Sequence, residues 1–280
     1  VSAAPNIDLH THSTCSDGAL TPILLVERAA AAGVEVLALT DHDTVAGLEE
    51  AAACAAKLPL RLIPGVEISA SWRAQSIHVL GLWVDPTAAG LRAALAGQAE
   101  RRRSRMARIC AKLTQAGLPG QALLDAVQAQ PGVPTRAHLA NAMVAAGLVR
   151  DPEDAFKRHL GRGKSAHLAA DWPPLAEVLG WILAAGGTAS LAHPARYGLS
   201  GGARRQLLAD FKAAGGLAIE VVTGANAAHH IDTCADLALK FEFQGSIGSD
   251  FHNPQLTWNP LGRLAKLPDR VTPVWRGRDL

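Results

Sequence analysis

Short apolar runs alternating with alanine-rich stretches set the strongest limit on how this chain can fold. Ile7–His10, Val36–Thr40, Leu60–Ile68, Ser76–Trp83, Thr188–Ala192, Ala218–Val222 and Ser246–Gly248 read as strands. Runs this short and this apolar suit strands covered on both faces; half-exposed ones would alternate polar and apolar residues. Helices lie between them. Thr21 followed by Pro22 marks an N-cap with proline at the first helical position, and Gly33 ends that helix. Val45–Lys57 reads as the next one. Strands and helices in alternation predict a parallel α/β fold, most economically a barrel.

Residues near 98–171 break the rhythm. Ala99–Ala116, Gly120–Gln130, Thr135–Ala146 and Pro152–Leu160 read as helices with no strand among them. The division expected is a first barrel part over 1–98, a helical insertion over 99–171 and a second barrel part over 172–280. Charge follows the same division. The net charge of +2 hides a balance of +8 in residues 101–170 and −6 in the rest. An acidic body suits cations, and a basic module suits an anion such as phosphate. Arg101-Arg102-Arg103-Ser104-Arg105 taken singly reads as a solvated helix face.

At 49% hydrophobic and 19% charged residues the chain reads as a soluble globular protein. No apolar run reaches the roughly 18 residues of a membrane span. Val1–Pro5 has neither the basic nor the apolar region of a secretory signal. The four cysteines form no CxxC pair, which suits free thiols in a reducing cytoplasm.

Chemistry gathers at the predicted strand ends. In Asp8-Leu9-His10-Thr11-His12 the period of two points Asp8, His10 and His12 to one side, with Asp17 on the following loop. Two imidazoles so placed can share a cation, and imidazole with carboxylate suits zinc, iron or manganese. A single such pair favours a metal only modestly over a solvated strand end. Yet Asp41-His42-Asp43, Glu67, His78, His193-Pro194 and Ser249-Asp250-Phe251-His252 repeat the pattern on successive strands. A parallel barrel opens all its strand C-termini on one face, where these residues would meet.

These motifs together resemble the polymerase-and-histidinol-phosphatase (PHP) family of metal phosphoesterases, and they span nearly the whole chain. The resemblance implies a distorted (β/α)7 barrel with two or three divalent cations, manganese foremost and iron or zinc as alternatives. It assigns His10, His12, Glu67 and Asp250 to one cation. Glu67 would bridge to a second held by His78 and His193, and Asp17, His42 and His252 would hold a third. A cation pair of this kind activates a bridging water and clamps the phosphoryl oxygens, so no Ser or Cys nucleophile is needed. Asp8 and Asp41 are expected to orient ligand histidines. Asp17, a ligand histidine such as His193, or metal-bound water remain open as the proton donor to the leaving oxygen.

The insertion should choose the substrate. Thr135 reads as an N-cap that would set Arg136 and free backbone N–H groups toward an anion. Gly161-Arg162-Gly163-Lys164 is a basic loop that could bring Lys164 to a phosphate, and Arg196 and Tyr197 follow His193 at the rim. Tyr197 could stack on a base or pack on the scaffold, and His138 is a further candidate contact. His159, His167, His229 and His230 fall outside any ligand spacing. Trp172, Trp181 and Trp258 read as core or hinge packing. Within the family, the basic insertion resembles bacterial members that remove the 3′-phosphate from nucleoside 3′,5′-bisphosphates such as adenosine 3′,5′-bisphosphate. Some of these trim short 5′-phosphorylated RNA, so a 5′–3′ exonuclease is the close alternative and histidinol-phosphate hydrolysis a third. A non-catalytic nucleotide-binding module would require lost ligands, and none is missing. The partners expected are a small nucleotide or short RNA, with no membrane and no obligate protein partner.

Overall fold

Seven strands form one sheet in chain order: β1 (Ile7–Thr11), β2 (Val36–Leu39), β3 (Arg61–Trp72), β4 (Gln75–Leu82), β5 (Thr188–Leu191), β6 (Ala218–Thr223) and β7 (Gln244–Gly248). The structure is a computed structural model and describes residues 5–169, 171–224, 226–255, 259–278 and 280; Trp258 lies outside them. The sheet curls until its edges meet. The Asp250 N–H donates to the His10 carbonyl at 2.8 Å, and the His12 N–H to the Phe251 carbonyl at 2.9 Å. Thr11 and Phe251 thereby form a parallel bridge that nearly closes an α/β barrel.

The sheet is mixed where the pattern predicts a parallel one. β4 runs antiparallel to both β3 and β5. The reason is local: only Arg73 and Ala74 separate β3 from β4, too few residues for the crossover that parallel strands need. This reversal matters to the site. His78 lies in the first half of β4, opposite Ser69 of β3, so it falls at the barrel end where the other strands finish.

α1 (Pro22–Ala31) starts as the sequence predicts, with the Thr21 side chain accepting from the Leu24 N–H. α2 (Leu48–Ala55) is shorter than Val45–Lys57. α3 (Ala89–Gln115) begins well before residue 99. Its first turns carry Gly90 and Gly97, poor helix formers that mask the pattern, but Leu91 and Leu95 dock on the barrel core. Its later turns carry Met106, Ile109 and Leu113 into a separate apolar core. α4 (Gly120–Gln128) and α5 (Arg136–Ala145) supply Leu123, Val127, Leu139 and Met143 to that second core. α6 (Pro152–Ala155) runs on into a single π-helical turn over Phe156–Leu160. A boundary at residue 98 thus falls inside one continuous helix.

α7 (Leu175–Ala184), α8 (Gly201–Ala213) and α9 (Ala228–Lys240) return to the barrel, α9 with His229 and His230 exposed at its start. The helical region also touches the β1 loop. The Val133 N–H donates to the Cys15 carbonyl at 3.1 Å, and a Cβ on Gly132 would stand 2.6 Å from that oxygen. Among the described residues no helix is long and apolar enough to cross a membrane.

The β3–β4 turn stores strain. Arg73 (φ 46°) and Ala74 (φ 61°) both occupy the left-handed region that such two-residue turns demand, without glycine or asparagine. Ala74→Gly is expected to stabilise the fold by roughly 0.5–1 kcal/mol, since relief of left-handed strain outweighs glycine's entropy. A higher urea midpoint at unchanged slope is the measurement; a lower one would contradict it.

Candidate metal centre

The period of two on β1 carries His10 and His12 into the barrel mouth, while the Thr11 hydroxyl between them donates to the Ala38 carbonyl of β2 at 2.7 Å. His10 Nε2 lies 3.2 Å from Glu67 Oε2 and 3.4 Å from Asp250 Oδ1; His12 Nε2 lies 3.4 and 3.3 Å from the same oxygens. The other Glu67 oxygen, Oε1, stands 3.0 Å from His78 Nδ1 and 3.0 Å from His193 Nε2. Asp17 completes a third group, with Oδ1 at 3.3 Å from His252 Nε2 and Oδ2 at 3.8 Å from His42 Nε2. His42 stands between groups, its Nδ1 only 2.9 Å from Glu67 Oε2. All nine residues named for the cations therefore gather at one end of the barrel.

The donors fit cations. His10 Nε2, His12 Nε2, Asp17 Oδ1, His42 Nδ1 and Glu67 Oε2 are buried without a hydrogen-bond partner, and buried polar atoms rarely stay so. Nitrogen and oxygen donors about 2.0–2.2 Å from a shared cation sit roughly 3.0–3.6 Å from one another, the spacing found here. The charge balance points the same way. Burial alone would raise Glu67, yet His10, His42 and His78 hold its carboxyl well below the usual range. Asp250 and Asp17 are held low against burial too, Asp250 chiefly by His10 and His252 and Asp17 by His42 and His252. Burial, with His252 and His42 beside it, pushes His12 down to about 3, leaving its ring neutral. His252 is instead pushed up to about 10: Asp17 and Asp250 outweigh its burial. The carboxylates draw a proton onto this imidazole where a cation would serve.

Strand ends bend sharply to aim these groups. His193 (φ 31°), Asp250 (φ 54°) and Asp43 (φ 50°) are left-handed non-glycine residues, a conformation that costs of order 1–3 kcal/mol and clusters at functional sites. Asp8 accepts from the Ser249 N–H at 2.8 Å and the His10 N–H at 3.3 Å. Asp41 holds the β1 loop through the Ser13 N–H, the Ser13 hydroxyl and the Ser16 hydroxyl at 2.6–2.7 Å. It reaches His12 only through Ser16, whose Oγ lies 3.5 Å from His12 Nδ1. Glu220 is a participant that the motifs miss. It is buried on β6 and pairs with His10 Nδ1 at 2.9 Å. A lone glutamate inside Ala218-Ile219-Glu220-Val221-Val222 was the available signal.

A cavity of about 480 Å³ opens beside the centre, with Asp17, His42 and His78 on one side and Arg102, Arg105 and Arg136 on the other. Arg102 and Arg105 are thus no solvated face; both are buried, unlike Arg101 and Arg103. Arg102 Nε donates to Asp43 Oδ2 at 2.7 Å, and Arg105 Nη1 to Asp171 Oδ1 at 2.6 Å. Both guanidiniums lie over Trp172, 5.2 and 5.4 Å from the ring centroid, so Trp172 walls the cavity rather than packing a hinge. Trp181 packs against the barrel core. Arg136 sits over Phe156 at 5.5 Å; partial desolvation, and then the like charges of Arg105 and Arg102, lower its pKa.

Other expected contacts fall elsewhere. Lys164 is exposed and outside the cavity wall; from the same loop Arg162, also exposed, reaches the wall, as does His167. His138 is spent in a capping box, its Nδ1 accepting from the Thr135 N–H at 3.1 Å, and Thr135 consumes the Ala137 and His138 N–H groups. Tyr197 is tied to the scaffold: its hydroxyl donates to the Ala192 carbonyl at 2.8 Å and accepts from the His78 N–H at 2.9 Å. Arg196 pairs closely with Asp250 at the rim of the centre, away from the cavity wall.

Comparison with known proteins agrees with this geometry. The PHP domain profile matches residues 8–146. A 5′-3′ exoribonuclease from Haemophilus influenzae is 45% identical over 96% of this chain and 97% of its own. The chain belongs to the PHP family of metal-dependent phosphoesterases. A 3′,5′-nucleoside bisphosphate phosphatase from Chromobacterium violaceum is 40% identical, covering 97% of this chain and 95% of that one. A solved structure described as an amidohydrolase from the same species, with bound sulfate and no metal, superposes with a TM-score of 0.91 at 39% identity. It covers 97% of this chain and 95% of its own.

A PHP centre so tightly packed tolerates no added atoms behind its ligands. A Cβ on Gly248 would stand 2.2 Å from His10 Cβ and 2.9 Å from Glu220 Oε1. Gly248→Ala should displace His10 and weaken divalent-cation binding by about tenfold or more, the scale seen when ligand supports are lost. Equilibrium titration of Mn²⁺ checks this, with circular dichroism to confirm the fold.

Proposed function

We propose that this enzyme removes the 3′-phosphate from nucleoside 3′,5′-bisphosphates, adenosine 3′,5′-bisphosphate among them. One observation carries the reading: a single cavity joins the metal-ligand cluster to a cluster of arginines. A substrate with two phosphates on one sugar needs two anion sites a short distance apart. A cavity of about 480 Å³ is also the size of small-ligand pockets. The name carried by the Chromobacterium relative supports the same substrate class.

In this scheme His10, His12, Glu67 and Asp250 hold one divalent cation, Glu67 with His78 and His193 a second, and Asp17, His42 and His252 a third. Mn²⁺ is our first choice, with Fe²⁺ or Zn²⁺ as alternatives. Cations so held supply an activated water and neutralise charge on the transferred phosphoryl group. Residues 99–171 act as the cap. Arg136 takes the second phosphate, because Arg102 and Arg105 already pair with Asp43 and Asp171 and serve mainly to orient the wall. Asp17 acts as a ligand rather than the proton donor, since His42 and His252 hold it ionised against burial. A 5′-phosphorylated RNA end would present the same two anions, so exonuclease action is the second reading, favoured by the name of the Haemophilus relative.

Phosphate release should be measured against nucleoside 3′,5′-bisphosphates, monophosphates, 5′-phosphorylated oligomers and histidinol phosphate. The bisphosphates should give the highest kcat/KM, and Asp250→Ala should abolish turnover. A marked preference for histidinol phosphate would refute the assignment. Arg136→Ala should lower kcat/KM for the bisphosphate by about 10–100-fold, the worth of one charge-assisted hydrogen bond. It should affect p-nitrophenyl phosphate far less; equal losses on both would remove Arg136 from second-phosphate recognition.

A further inference from the structure

β6 is the strand of the barrel that gives the centre no ligand, yet it carries Glu220, a carboxylate only 1% exposed. A glutamate buried so completely must be paired to stay charged. Its two oxygens divide their partners. Oε1 lies 2.9 Å from His10 Nδ1. Oε2 accepts from the His193 backbone N–H at 2.6 Å and from the Thr223 hydroxyl at 3.2 Å. His10 belongs to the first ligand group and His193 to the second, with their rings stacked 5.9 Å apart. Gly248 supplies the room for this approach, since any Cβ there would meet both His10 and Glu220.

We propose that Glu220 is a positioning residue that fixes one ligand of each of two neighbouring cations. Toward His10, the carboxylate accepts the Nδ1 proton and so leaves the lone pair on Nε2, the atom that stands unpartnered beside Glu67 and Asp250. That is the tautomer a ligand needs, and an anionic partner makes the imidazole a better donor. Toward His193 the action is on the backbone. A left-handed histidine is costly, and the short N–H bond to Glu220 holds it there, with Nε2 delivered to within 3.0 Å of Glu67 Oε1. One carboxylate therefore sets a tautomer for one cation and a backbone conformation for the next. A glutamine cannot do both jobs unaltered, because its amide NH₂ would face either the His193 N–H or the His10 Nδ1–H.

The inference rests on the metal-centre reading above, and the test separates the two. Chelator-stripped wild-type protein and Glu220→Gln are titrated with Mn²⁺ while free Mn²⁺ is followed by electron paramagnetic resonance. Long-range ¹H–¹⁵N spectra of the metal-free proteins, taken at a pH high enough for His10 to have lost its second proton, report which ring nitrogen keeps the other. Wild type should bind at least two Mn²⁺; failure there would sink the metal centre itself. Glu220→Gln should lose about 10- to 100-fold in affinity at two sites together and show a mixed His10 tautomer. Thr223→Val, which keeps the carboxylate, should stay within about threefold of wild type, below the loss expected for a supporting carboxylate. Wild-type affinity and tautomer in folded Glu220→Gln would overturn the inference. If that variant does not fold, Glu220→Asp decides by the same titration. A carboxylate one methylene shorter cannot span both partners and should show the loss; wild-type affinity would again overturn the proposal.

Discussion

The Glu67 carboxylate, fully buried at the mouth of the barrel, is the constraint around which the rest of the molecule is arranged. Five histidines, His10, His12, His42, His78 and His193, each place a ring nitrogen within 3.4 Å of one of its oxygens. A carboxylate taken out of water is tolerated only when positive charge or hydrogen bonds replace the lost hydration. Neutral imidazoles do not supply that charge, and protonated ones crowd against each other. His12 illustrates the conflict, driven to the neutral form by burial and by His252 and His42. Divalent cations resolve it, since every imidazole can then be neutral and every carboxylate ionised. The protein folds a charge deficit into its centre, and binding a cation relieves it.

Holding that deficit open requires the chain to turn abruptly at strand ends. Parallel strands deliver His10, His42, His193 and Asp250 to one barrel end, but their side chains converge only because His193 and Asp250 take left-handed conformations. Each is tied at its N–H: Asp250 to the His10 carbonyl and His193 to Glu220. The reversed β4 solves a different problem. The two-residue turn returns the chain at the mouth itself, so His78 enters from the opposite strand direction. The same hairpin then lends Ala74, Gln75 and Ser76 to the cavity wall.

The candidate ligand cluster was legible in the sequence because most of its members lie at or just past strand ends, which the topology brings together. His10-Thr11-His12 needed nothing more than the period of two. The substrate wall was less legible, since its geometry depends on partners far apart in the chain. Arg102 and Arg105 look like any exposed helical arginines until Asp43, 59 residues away from Arg102, and Trp172 are packed against them. Lys164 and Arg162 share one flexible-looking loop, and local turn geometry rather than residue type decides which reaches the cavity wall. Tyr197 had one hydroxyl to satisfy, and the backbone of β4 took it. Glu220 carries no motif; only its position among apolar neighbours marks it. The reversed β4 leaves no trace in its composition; only the short gap between Ile68 and Ser76, too few residues for a crossover, marks it.

Asp43 joins the two halves of the site. It follows His42 directly, its N–H bonds the Glu67 carbonyl at 2.9 Å, and its carboxylate takes Arg102 Nε and Gln98 Nε2 from α3. The Ser69 N–H donates to the same group from β3. A buried arginine held this way keeps little net charge of its own, but its plane cannot move without disturbing a residue adjacent to a ligand. The distance between the metal centre and the arginine wall is thereby set by a buried ion pair rather than by a loop. A substrate whose phosphates are fixed to one ribose gains from such a rigid spacing, because no ordering of the wall is left to occur on binding. Much of the +8 charge of residues 101–170 stays on exposed side chains, Arg101, Lys157 and Lys164 among them. Part of it is neutralised by Asp43 and Asp171 and converted into shape, which leaves Arg136 and Arg162 as the cavity-wall arginines without an ion pair among the described residues.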